Sequence, residues 1–243
     1  MWKNFENSLK NAENLAFWWR DDDVRVKTTP FKLGYLKYKF KTKGLMKLLY
    51  KYAIPAIWAI VPNNYEKYGK FFTKNIIKYN QFATIHGIYH VNNSQNLQKS
   101  EFPECCNIEE NYNTIIQNYN SFKILFNNNL LPVFVAPYNN MCEELKEKLV
   151  EYGLIISELN RNQKNHSNYN VDYDFVNWET YKLKNYNLIL KELIELINSG
   201  MNVIGLNSHH PILTNDNIKF YEKLFQTISK YHNVKWINPF ILV

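Results

Sequence analysis

Apolar residues gather in short runs, separated by segments with helical spacing. Ala16 to Asp22 is the first run. Pro55 to Val61 is a near-continuous apolar strand stopped by Pro62-Asn63-Asn64. Gln81–Ile85, Leu131–Val135, Leu154–Leu159, Tyr173–Trp178, Asn202–Leu206 and Val234–Ile241 repeat the strand pattern. Between them, Gly44–Tyr52, Lys67–Tyr79, Ile108–Phe126, Cys142–Tyr152, Leu188–Asn198 and Asn217–Tyr231 carry apolar residues at helical intervals. Gly153 and Gly200 stand where a helix C-terminus favours glycine. Strands that are apolar throughout and alternate with helices make a parallel sheet covered by helices. The expected fold class is α/β: a distorted barrel of roughly seven or eight β/α units, one domain over residues 1–243.

In such folds the C-terminal ends of the strands carry the site, and the polar clusters of this chain fall there. Asp21-Asp22-Asp23 ends the first strand, and His86 and His90 follow the third. Pro137-Tyr138 follows the fourth, and His209-His210 a late one. Consecutive ionised carboxylates repel and resist desolvation, a cost that a divalent cation cancels. One carboxylate with two imidazoles is a common ligand set for Zn²⁺ or a similar ion. Strand alternation puts Asp21 and Asp23 on one face and Asp22 on the other, unless the strand breaks.

These clusters, in this order, resemble the polysaccharide deacetylases of carbohydrate esterase family 4, over roughly residues 15 to 240. The resemblance implies that Asp21 is a general base and that Asp22, His86 and His90 are metal ligands. It implies that Pro137 and Tyr138 lie at the oxyanion, with the Tyr138 N–H donating to it, and that Asp174 to Trp178 line the substrate. His209, or its neighbour His210, is then the general acid that protonates the leaving amine. Two departures stand out. Asp23 occupies the position of a family glycine, and Val135 or Ala136 replaces the arginine that orients the base. Arg20 is near in sequence, but alternation points its side chain away from that of Asp21.

Composition narrows the picture. The chain is 46% hydrophobic, enough for a sizeable core, and no apolar run approaches the roughly 20 residues of a membrane span. Its start lacks the layout of a secretory signal, so the expected location is cytoplasmic. The net charge of +7 is densest from Lys32 to Lys51, read as a solvated face rather than a nucleic-acid surface. Three cysteines without CxxC spacing argue against a disulfide framework.

The expected activity is metal-dependent removal of an acetyl or other acyl group from an N-acetylated sugar or glycan precursor. The expected cofactor is a divalent metal, Zn²⁺ ahead of Co²⁺, Ni²⁺ or Mn²⁺. The rivals are a carbohydrate-binding barrel with little or no turnover, favoured by the missing arginine, and a metal-dependent amidase on a non-sugar amide. The partner is a small-molecule or oligosaccharide substrate. Specificity is expected in the loops Lys27–Lys43, Asn92–Asn107 and Asn160–Asp172.

Overall fold

A computed structural model describes residues 1–26, 33–159 and 169–239. The strands are β1 (Leu15–Val24), β2 (Ala56–Ile60), β3 (Phe82–His86), β4 (Leu130–Val135), β5 (Ile155–Ser157), β6 (Tyr173–Asp174), β7 (Val176–Asn177), β8 (Lys182–Leu183), β9 (Val203–Ser208) and β10 (Val234–Trp236). The helices are α1 (Trp2–Asn11), α2 (Leu33–Lys51), α3 (Tyr65–Tyr68), α4 (Lys70–Lys78), α5 (Ile108–Phe126), α6 (Glu143–Glu151), α7 (Tyr186–Asn198) and α8 (Asn215–Ile228).

The main sheet runs β5-β4-β3-β2-β1-β9-β6, all parallel, with β10 against the start of β1. Beyond β5, Leu159 bridges in parallel to Val171, just before β6. The sheet therefore curls until its two edges meet, which gives the expected distorted β/α barrel. Among the described residues no helix is long and apolar enough to cross a membrane.

Side-chain alternation divides each strand between two environments. Phe17, Trp19, Trp58, Ile60, Ile85, Phe134 and Leu206 face outward into the core shared with the helices. Trp18, Ile57, Ala59, Phe82 and Val133 face inward and fill the floor of the barrel. One turn of alternation further along, the inward positions become polar. Arg20, Asp22, Thr84, His86, Ser157, Asn207 and His209 are all buried at the C-terminal rim. This switch from apolar floor to polar rim is what positions the site.

Several elements differ from the sequence expectation. α1 is an addition to that pattern; it packs on α7 and α8 and buries Phe5 and Leu9, four residues apart, in the outer core. The stretch read as a loop from Lys27 to Lys43 is helical from Leu33 onward. Tyr35, Thr42, Leu45 and Leu49 are buried along this helix, which leaves lysines such as Lys37 and Lys47 outside. The lysine-rich stretch is thus mainly the outer face of a helix. The segment Tyr173–Trp178 splits between the main sheet and a β7–β8 hairpin. The last strand ends at Trp236; residues 240 and 241 of its expected range lie outside the described residues.

Candidate active site

The end of β1 is irregular, and that irregularity builds the site. Asp21 pairs with Trp58 and Val24 with Ile60, so β1 spends one residue more than β2 over this step. The extra residue is a β-bulge, and Asp23 takes a positive φ of 71° within it. Tyr38 holds the bulge: its hydroxyl donates to the Asp23 carbonyl at 3.1 Å and accepts the Arg25 N–H at 2.8 Å. Alternation is broken, so Asp22 and Asp23 both line one cleft while Asp21 points to the opposite side.

Asp23, rather than the expected Asp22, joins the two imidazoles. Its Oδ1 lies 3.1 Å from His90 Nε2 and 3.6 Å from His86 Nε2. One ligand atom from each residue lies within 4.8 Å of the other two. The Val135 carbonyl can only accept, so His86 Nδ1, at 3.0 Å, donates to it, which turns Nε2 toward Asp23. Burial pushes the Asp23 carboxyl up, but the two imidazoles and His209 outweigh it and hold the group well below its usual range. Burial, reinforced by His86, pushes His90 down to about 3. A carboxylate and two imidazoles converging at a buried rim fit a divalent cation such as Zn²⁺.

A residue without any sequence signal shapes this cluster. Glu101 is buried and accepts the N–H groups of Ile88 (3.2 Å), Tyr89 (2.6 Å) and His90 (3.1 Å). It clamps the loop that carries both imidazoles. Gly87 makes room for it: φ is +64°, and a Cβ there would sit 2.1 Å from Glu101 Oε2 and 2.4 Å from Pro137 Cγ.

Asp22 sits beside this cluster in a different role. Arg20 Nε lies 2.9 Å from its Oδ1, and Arg20 Nη2 and Asn207 Nδ2 each lie 3.0 Å from its Oδ2. Arg20 also donates from Nη1 to Ser157 Oγ at 2.6 Å, which anchors the guanidinium across the barrel to β5. Burial pushes Asp22 up, but Arg20, His86 and His209 together leave it below the ordinary carboxylate value. Arg20 and Asp22 are two apart on one face, so alternation could have found this pair.

His209 closes the arrangement. Its Nε2 lies 3.9 Å from Asp22 Oδ2, and its Nδ1 lies 3.7 Å from Asp174 Oδ1. Asp174 accepts from the Val176 N–H (2.9 Å) and the Trp178 indole (3.0 Å), and burial raises its pKa. The Trp178 ring stands edge-on to His209 at 4.7 Å and is 43% exposed, so it lines the cleft rather than the core.

Asp21 and His210, the expected base and the alternative acid, face each other away from the cleft. Both are completely buried, and Asp21 accepts from His210 Nδ1 and Ser208 Oγ. Tyr138 has a φ of +61°; its ring lies 4.8 Å from that of His90, and its hydroxyl donates to the His90 carbonyl at 3.3 Å. Pro137 starts the same turn and packs behind Gly87. The cleft over these groups has a volume of about 900 Å³ and is rimmed by Tyr138, Trp178 and Tyr181.

The structure brings together a curled parallel sheet, an Asp-His-His cluster and an Arg-held carboxylate at one rim. No family model and no curated protein matches the sequence. Solved structures do match. A family 4 carbohydrate esterase from Streptomyces lividans in complex with acetate is 12% identical, with a TM-score of 0.58 over 92% of either chain. The catalytic domain of a peptidoglycan N-acetylglucosamine deacetylase from Eubacterium rectale is 15% identical, with a TM-score of 0.57 over 92% of this chain and 88% of that one. A family 4 pseudoenzyme from Bacillus anthracis is 12% identical, with a TM-score of 0.61 over 96% of this chain and 66% of that one. The chain has the fold of the family 4 polysaccharide deacetylases.

Proposed function

We propose that the protein is a metal-dependent deacetylase acting on an N-acetylated sugar or glycan precursor. The observation that carries this reading is the bulge at Asp23, which sets an Asp-His-His cluster, an Arg-paired carboxylate and a third imidazole around one cleft. Asp23, His86 and His90 would hold the cation. When bound, a divalent ion supplies Lewis acidity, which polarises an acyl carbonyl and acidifies water.

The chain's own groups divide the remaining work. Asp22, ionised and oriented by Arg20, takes the proton from the attacking water. The backbone N–H of Tyr138 donates to the developing oxyanion. His209 gives a proton to the leaving nitrogen, with Asp174 facing its other ring nitrogen. Trp178 and Tyr181 offer apolar ring faces to a sugar. The base and the carboxylate ligand proposed here each lie one residue later than the resemblance implies. Arg20 beside Asp22 supplies a cation in place of the one that Val135 and Ala136 lack, which favours turnover over a binding-only barrel.

Acetate release from N-acetylated oligosaccharides tests this directly. Native protein loaded with Zn²⁺ should release acetate, and Asp22→Asn should lose activity by at least about 10²-fold. Equal release by both proteins would remove Asp22 as the base. Zn²⁺-loaded protein that releases acetate from no sugar but hydrolyses simple amides would point to the amidase instead.

A further inference from the structure

Arg25 stands at the metal cluster with no role in the chemistry above. Its Nη2 lies 2.9 Å from Asp23 Oδ1, the same oxygen that His90 Nε2 approaches to 3.1 Å and His86 Nε2 to 3.6 Å. The Arg25 side chain is 42% exposed, whereas its backbone is fixed, because the Arg25 N–H donates to the Tyr38 hydroxyl that also holds the bulge. Arg25 therefore follows Asp23 on a rigid backbone and presents a permanent positive charge to the oxygen a cation would take.

We infer that Arg25 is a built-in competitor for the divalent cation, one that sets how tightly the Asp23-His86-His90 cluster holds it. The inference rests on the proposed cation site. In metal-free protein the guanidinium neutralises Asp23. A cation arriving at Oδ1 must either displace that fork or accept a like charge within ion-pair range of the same carboxylate. Both routes weaken binding, because like charges a few ångströms apart at a partly buried rim are poorly screened. The partly exposed side chain has solvent to move into, so displacement needs no rearrangement of the fold.

Zn²⁺ affinity, measured by competition with a chromophoric chelator, tests this without any turnover assay. Native protein would be compared with Arg25→Gln, Arg25→Ala and Arg25→Lys, with thermal melts to confirm folding. The Gln and Ala variants should bind Zn²⁺ roughly tenfold or more tightly than native protein, a shift of about 1.4 kcal/mol. Arg25→Lys should stay close to native affinity, because it keeps the charge. Unchanged or weaker binding in the Gln and Ala variants overturns the inference and makes Arg25 a support that orients Asp23. An Asp23→Asn control separates the two levels. If Asp23→Asn binds Zn²⁺ as native protein does, the cation is held elsewhere and the site itself is wrong, whatever Arg25 does.

Discussion

Both oxygens of Asp22 face the Arg20 guanidinium, with Nε 2.9 Å from Oδ1 and Nη2 3.0 Å from Oδ2. The two residues are neighbours on the inward face of β1, and both are buried. The guanidinium, held by Ser157 at Nη1, donates from Nη2 to Asp22 and so fixes the carboxylate in orientation as well as charge, which a lysine cannot do. Arg20→Lys should therefore keep the fold while kcat drops by roughly 10- to 100-fold through misplacement of the base. Arg20→Leu leaves a buried carboxylate without its cation and should cost about 3–5 kcal/mol in urea unfolding. A kcat for Arg20→Lys equal to native would show that Asp22 needs no orientation.

Asp21 and Asp22 should separate cleanly. Asp21 is tied to His210 and Ser208 behind the cleft, so its loss is a folding defect. Asp21→Asn should lower stability by about 1–3 kcal/mol, the cost of an unmatched buried polar group. It should also leave kcat within about threefold of native at a temperature where the variant is folded. His210→Phe should behave likewise, while His209→Ala should keep stability and lose turnover. A collapse of kcat in folded Asp21→Asn protein would restore Asp21 as the base.

Acid should weaken the Asp22 pair in a defined direction. Its pKa is lower in the folded chain than the unfolded value near 3.9, since Arg20, His86 and His209 together outweigh burial. Between those two values the unfolded chain binds more protons, so stability rises with pH. The contribution is complete above about pH 4 and is lost as pH falls through the folded value. In metal-free protein the stability gap between native and Asp22→Asn should be widest above about pH 4 and shrink as pH falls below it. A gap that grows as pH falls would contradict the sign of the shift.

Much of the fold was legible in the sequence because strand floors and helix faces follow simple periods. Runs such as Ile57 to Ile60 and Leu131 to Val135 reappear as barrel strands. The site was legible as a set of strand ends but not in register. A bulge at Asp23 depends on pairing with β2 and on a brace from Tyr38, 15 residues away, so no local pattern announces it. Read straight, the run Asp21-Asp22-Asp23 puts Asp22 beside the two imidazoles, where the structure has Asp23. His209 over His210 was within reach, since alternation from Asn207, which pairs with Arg20 on β1, carries His209 just past the end of β9 to the same side. Glu101 was out of reach: it grips the His86–His90 loop through backbone N–H groups, which any sequence supplies.

The central claim is that Asp23, His86 and His90 hold one divalent cation. Metal stoichiometry of purified protein after loading with Zn²⁺ and desalting measures it most directly. Native protein and Asp21→Asn should each retain close to one ion per chain, and Asp23→Asn and His86→Gln should retain almost none. Full retention in Asp23→Asn, or loss of the ion in Asp21→Asn while that variant remains folded, would contradict the site described.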